Sequence, residues 1–185
     1  EILRCLVGSE MCIRDRFLLA GCASAGGSQS RDLDLKELCT EEQVFQYADF
    51  EWGTDSEQLF KQSSLKFDEK DLGQGDESST KTYESKEKFS LENAESNMDL
   101  EFSDGQLSQV SFTFDIEQDA NTWIQKEVDE LNSLYGGGIA TGLGNQIYQW
   151  QGEQDTVLQL TAFTEGDESA TVILSVASME YSIGS

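Results

Sequence analysis

The chain has no histidine and no proline among its 185 residues, and its basic residues are few: 12 Lys and Arg against 36 Asp and Glu. Without imidazole it has neither Ser-His-Asp nor Cys-His catalysis, nor a histidine metal ligand, to offer. Without proline, cis-prolyl turns leave the argument. The third shortage sets a formal net charge of -24. Such a surface repels phosphate backbones and anionic headgroups, which excludes nucleic acid as a partner. The whole excess lies beyond residue 21, because residues 1–21 hold three basic and three acidic side chains. Its ordinary consequence is solubility and repulsion between copies, and a basic partner or a cation is the sharper one.

What is present is enough for a folded core. Hydrophobic residues make up 37% of the chain and aromatics 10%, so wholesale disorder is excluded and the length suits one domain. Near the start, Phe17-Leu18-Leu19-Ala20-Gly21 is apolar and closes in small residues, like the end of a secretory hydrophobic region. Leu19-Ala20-Gly21-Cys22 resembles the lipobox of bacterial lipoproteins. That resemblance implies cleavage before Cys22 and a diacylglyceryl thioether on its sulfur, so the lipid on Cys22 makes the membrane a partner. The run from Ala23 to Ser30 is then a flexible tether. Two or more acyl chains hold a protein stably at a bilayer, where a single chain binds only marginally.

The residues before the lipobox do not suit a signal peptide. Glu10, Arg14, Asp15 and Arg16 stand where an unbroken apolar run belongs. The stretch Leu6 to Arg16 resembles a translated transposon-end adapter from sequencing-library preparation, since ATG-TGT-ATA-AGA-GAC-AG reads Met-Cys-Ile-Arg-Asp. The expected division is therefore 1–16 as a non-native, adapter-derived segment and 17–21 as the remnant of a lipoprotein signal peptide. Residues 22–32 follow as the tether, and 33–185 as a single α+β domain. Of the four cysteines, Cys39 alone is left to the domain. There it reads as a small buried hydrophobe, with a reactive or intermolecular thiol as the other reading.

Along the domain, Thr40-Glu41-Glu42-Gln43 has capping-box spacing and predicts a short helix after it. Thr54 and Glu57 form a second such pair, with a helix over about Asp55 to Gln62. Residues 68–81 are charged and rich in Gly and Ser and read as a loop. Met98, Leu100 and Phe102 alternate along one strand, Asp104-Gly105 turns, and Val110, Phe112 and Phe114 alternate on the return. Ala120, Trp123, Ile124, Val128, Leu131, Leu134 and Tyr135 mark one apolar stripe of a longer helix, with Asp119 as N-cap and Gly136 as its stop. Three strands follow, over NQIYQW, TVLQLTAF and ATVILSVASMEY, the last apolar on both faces and so central. The expected fold is α+β: an antiparallel β-sheet of about six strands with two helices packed on one face, α-βββ-α-βββ.

Several short patterns imitate chemistry. GGGIATGLG (Gly136–Gly144) suggests a phosphate loop, yet it lies after a helix and before a strand, the reverse of the order that aims helix amides at a phosphate. Ser63-Ser64-Leu65-Lys66 and Ser78-Ser79-Thr80-Lys81 fit S-x-x-K, but neither serine opens a buried helix. Asp115, Glu117, Asp119 and Asn121 alternate like a calcium loop, with Ala120 and Lys126 where Gly and Glu are required. No catalytic or metal-ligating set and no cofactor is implied. Among Trp52, Trp123, Trp150, Tyr135 and Tyr148, core packing is the expected role, and if any forms a binding surface it is Trp150 or Tyr148.

The lipobox thus points to a bacterial envelope lipoprotein, extracytoplasmic and anchored at a cell surface or in a periplasm. Over the body, the short helix after Trp52-Gly53-Thr54 and the strands beyond it are loosely similar to small α+β lipoproteins. The outer-membrane assembly accessory family (SmpA/OmlA-like) and the proteinaceous beta-lactamase inhibitors are examples. The expected function is a non-enzymatic binding or scaffolding module with a protein or cell-envelope partner. The alternative is an envelope enzyme or enzyme inhibitor that uses Asp and Glu in a cleft.

Overall fold

A computed structural model describes residues 30–71, 79–141, 146–166 and 168–182. The strands are β1 (Arg31–Asp32), β2 (Phe67–Lys70), β3 (Thr80–Leu91), β4 (Ala94–Ser103), β5 (Gln106–Ile116), β6 (Ile139–Thr141), β7 (Gln146–Gln151), β8 (Thr156–Glu165) and β9 (Ser169–Ser178). The helices are α1 (Ser56–Gln62), α2 (Ala120–Tyr135) and α3 (Met179–Ser182), with one 3-10 turn at Leu35–Leu38. All nine strands join one sheet in the order β1-β3-β4-β5-β9-β8-β7-β6, and β2 pairs with β3. Only β1 runs parallel to its neighbour, so the sheet is mixed but mostly antiparallel.

The expected α+β class holds, but the count of six strands is too low. Each half gains one short strand, β2 in the first and β6 in the second, and β1 is added at an edge. The chain therefore reads α-ββββ twice. Each half is a meander, β2-β3-β4-β5 and β6-β7-β8-β9, and the two join through their last strands, β5 against β9. The expected central position of the last strand is observed, since β9 lies between β5 and β8. It stops at Ser178, and Met179–Ser182 turn into α3 instead of prolonging the strand to Tyr181.

Local chemistry explains most boundaries. Asp104 and Gly105 have φ of 51° and 80°, the left-handed pair that a tight hairpin turn demands. Helix α1 begins one residue later than the capping-box reading: Asp55 is the cap, its carboxylate accepting from the Gln58 N–H at 2.9 Å. Asp119 precedes α2 as expected, but with φ 52° and no side-chain cap bond. Gly136 ends that helix at φ 84°, its N–H donating to the Asn132 carbonyl. No helix follows Thr40. The Thr40 hydroxyl accepts from the Val44 N–H at 3.2 Å, and Cys39 bridges to Phe45, which closes a turn. Of the predicted loop 68–81, residues up to Lys70 belong to β2 and those from Thr80 to β3, while 72–78 lie outside the described residues.

Register separates the two faces of the sheet. Met98 pairs with Phe112, Leu100 with Val110, and Val110 with Val176, all almost fully buried. Both longer helices cover this inner face. Phe60 of α1 packs edge-on to Tyr83 and Phe102, and Trp123 of α2 lies 5.9 Å from Phe114. Neither of these helices covers the outer face, where Ser111, Gln159 and Ser175 are partly exposed.

Candidate functional site

The outer face can be read row by row from the strand pairing. One row runs Gln109, Ala177, Val157, Gln151 across β5, β9, β8 and β7. The next runs Ser111, Ser175, Gln159, Gln149, Ile139, and a third Thr113, Ile173, Thr161, Ile147, Thr141. None of these side chains ionises. That is notable in a chain with 36 acidic residues. The charges return on β3 and β4, where Lys70 of β2 sits 2.9 Å from both Glu84 and Asp99. Within the neutral half, the Gln149 amide donates to Gln159 at 2.8 Å, and the Gln159 amide donates to the Thr161 hydroxyl at 2.8 Å. At its margins Ile139 is 61% and Phe163 44% exposed.

Trp150 and Tyr148, expected in the core and named as the pair to form a binding surface if any aromatic did, point to the inner face. Trp150 pairs with Leu158 and Tyr148 with Leu160, which puts both on the inner face. Trp150 is only 3% exposed, so a surface role for it is corrected. Its indole N–H donates to the Asn132 side chain (3.1 Å) and the Gly136 carbonyl (2.9 Å), tying β7 to the end of α2. Gly138 lies so close that a Cβ there would come within 2.6 Å of the indole. Of the suggested phosphate loop, Gly138 thus serves close packing and Gly136 the helix stop, while Gly142 and Gly144 lie outside the described residues. Tyr148 is half-buried against the core.

The remaining sequence candidates are scattered. Ser63 caps the end of α1 and its hydroxyl accepts from the Leu65 N–H at 3.0 Å. Lys81 pairs with Glu69, and Ser78 lies outside the described residues. Asp115 accepts from the Thr171 hydroxyl at 2.9 Å. Among the described residues no three Cys, Asp or Glu side chains are placed to hold a metal ion. Cys39 is a free, half-buried thiol whose pKa burial pushes up. Cys22 and the whole lipobox lie outside the described residues. Among the described residues no helix is long and apolar enough to cross a membrane.

One ionisable group was missed by the sequence reading. Glu127 of α2 is 1% exposed, and neither carboxylate oxygen has a hydrogen-bond partner among the described residues. Burial, then repulsion from Glu130 and Glu92, pushes its pKa up to about 7. Nearby, a cleft of about 600 Å³ is lined by Asp32, Asp34, Glu92, Glu95 and Glu130. Lys126 engages Glu92 at 2.6 Å and Lys88 engages Glu95 at 3.1 Å.

The class this geometry defines is an α+β protein with a mostly antiparallel sheet, its two longer helices on the inner face and, on the outer face, a charged part over β2–β4 and an uncharged part over β5, β9, β8 and β7. Comparison with protein-family models, with curated proteins and with solved structures finds no match to the chain.

Proposed function

We propose that this protein is a lipid-anchored bacterial envelope lipoprotein that works as a non-enzymatic binding or scaffolding module, docking a protein partner on the neutral half of its outer sheet face. The observation that carries the reading is the absence of ionisable side chains from three successive rows across β5, β9, β8 and β7, two of which continue to β6. Interface centres are depleted of charge, because each buried charge must be desolvated and matched. Elsewhere the acidic surface holds copies and other anionic molecules apart, so a neutral patch is where close approach costs least. Five strands about 4.8 Å apart and three rows about 6.7 Å apart span roughly 500 Å². That is the size of an interface centre within the roughly 800 Å² that a stable contact buries on each partner.

The anchor rests on Leu19-Ala20-Gly21-Cys22, with the run from Ala23 to Ser30 as the spacer between bilayer and domain; the expected tether to residue 32 is too long, because Arg31–Asp32 pair with β3 as β1. Expression of the chain with a functional signal peptide tests it. The unaltered protein is expected in the membrane fraction and the Cys22→Ala variant in the soluble one. A Cys22→Ala protein that still fractionates entirely with membranes contradicts the anchor.

The alternative, an enzyme or enzyme inhibitor using carboxylates, draws on the acidic cleft beside α2. Against it, Glu127, whose pKa lies near neutrality, is shut inside the core where no substrate reaches it. The binding module is the better supported reading.

A further inference from the structure

The uncharged rows across β5, β9, β8 and β7 are framed by carboxylates on three sides. Along β4, Glu101 pairs with Gln109 and Asp99 with Ser111, so each borders the end of a row. Beyond the third row, Asp115 lines up with Thr171 and Phe163, and Glu165 closes β8 two residues further along the same face. At the other end of the strands, Glu153 and Asp155 are exposed in the turn from β7 to β8. Cations are missing from this frame. No lysine or arginine occurs in residues 89–125 or after Lys126, which leaves β4 to β9 without a basic side chain of their own. Lys70 reaches the β4 border from β2, but its one ammonium, 2.9 Å from both Glu84 and Asp99, is shared between two acids.

Granted the docking role proposed for these rows, on which the assignment rests, we infer that their occupant is a protein surface with a neutral polar centre and a rim of lysine and arginine. The two zones obey different electrostatics. In the centre a charge would be desolvated with nothing opposite to match it. At the rim ion pairs stay partly hydrated, and a frame of one sign attracts each cation set against it and steers the approach. The span requires a folded partner. Asp155 and Glu165 stand about 33 Å apart along β8 at the rise of a strand, too far for a small polycation to bridge but within an ordinary interface. A second copy does not fit, because two such faces laid together set acid against acid around the whole frame. One corner favours arginine over lysine. Phe163, 44% exposed, lies on the same face as Glu165 and two residues from it, so a guanidinium can pair with the carboxylate while its plane lies on the ring.

Photo-crosslinking in isolated membranes tests it. Membranes from cells making the lipidated full chain with a benzophenone side chain at position 175 are irradiated in about 50 mM and about 300 mM NaCl. The protein adduct is expected to fall about tenfold at the higher salt. At the lower salt it is expected to fall about tenfold in the rim variant Asp115→Asn, Glu153→Gln, Glu165→Gln. The variant Glu57→Gln, Asp129→Asn, Glu130→Gln removes the same charge from α1 and α2 and is expected to leave the yield unchanged. All six positions are exposed and every replacement keeps the side chain's shape, so the fold is common to the three proteins. An adduct that salt or the rim variant leaves unchanged, or that both variants reduce alike, overturns the basic rim while the docking role stands. No adduct from position 175 overturns both.

Discussion

Trp123 and Glu127 stand one turn apart on the same flank of α2, and the indole N–H of the first and both carboxylate oxygens of the second are buried without hydrogen-bond partners among the described residues. A donor and an acceptor thus lie close together and unjoined, under the strand face that holds Phe114. The apolar stripe of α2 accepts Glu127 in its neutral form far more readily than as an anion.

This gives stability a defined pH dependence. The folded-state pKa of Glu127 is raised from an ordinary 4.5 to about 7, so between those values the native state holds a proton that the unfolded chain has released. Stability therefore falls as pH rises through that window and levels off above it, by about 3 kcal/mol in total. Glu127→Gln is expected to flatten this part of the profile and to be the more stable protein at pH 8. Urea unfolding of both proteins from pH 4 to pH 8 checks it, because general repulsion among the surface acids is common to the two. Parallel profiles contradict the account.

The join between β7 and α2 predicts a coupled pair of substitutions. Trp150→Phe leaves the Asn132 side chain and the Gly136 carbonyl without the indole donor, which costs about 1–3 kcal/mol. Gly138→Ala drives a methyl group against the same indole and destabilises by a similar amount. Because both act on one contact, Gly138→Ala is expected to cost less in the Trp150→Phe background than alone. A double-mutant cycle by thermal unfolding measures this, and strict additivity is the contrary result.

Cys39 is predicted to be a slow thiol. Its half-buried sulfur donates weakly to the Thr40 carbonyl at 3.5 Å, and burial raises its pKa, so little thiolate is present at pH 8. Alkylation of the Cys22→Ala domain by iodoacetamide should run well below the rate of a free cysteine peptide. An equal or faster rate would show an activated thiol instead.

The sequence made the long strands legible where period-two alternation had one buried face, as in Met98, Leu100 and Phe102 opposite Val110, Phe112 and Phe114. It did not disclose β1, β2 or β6. Arg31–Asp32, Phe67–Lys70 and Ile139–Thr141 have two to four residues each, too few to carry a period, and they are strands only because β3 and β7 offer hydrogen-bonding edges. Alternation put Trp150 and Tyr148 opposite Ile147 but could not say which side is inside. That depends on the distant helix α2, whose Asn132 takes the Trp150 N–H. Glu127 escaped notice because a charged residue three positions from Ile124 reads as the edge of a stripe, whereas here it is enclosed within it. The neutral outer face was invisible for a related reason. Its rows join residues from strands far apart in the chain, so only the register brings Ser111, Ser175, Gln159 and Gln149 together.

Placing charge on that face separates docking from folding. Ser175→Glu keeps a half-exposed position polar and is expected to change stability by no more than about 0.5 kcal/mol. It should nonetheless abolish partner retention in a co-purification where the unaltered chain succeeds. Retention equal to the unaltered chain is the contrary outcome.

The most direct measurement is site-specific photo-crosslinking in cells that make the lipidated protein. A benzophenone side chain is introduced either at Ser175, in the middle of the neutral rows, or at Asp129, exposed on the outer side of α2. The account predicts a discrete protein adduct from position 175 and none from position 129. No adduct from position 175, or the same adduct from both, would contradict it.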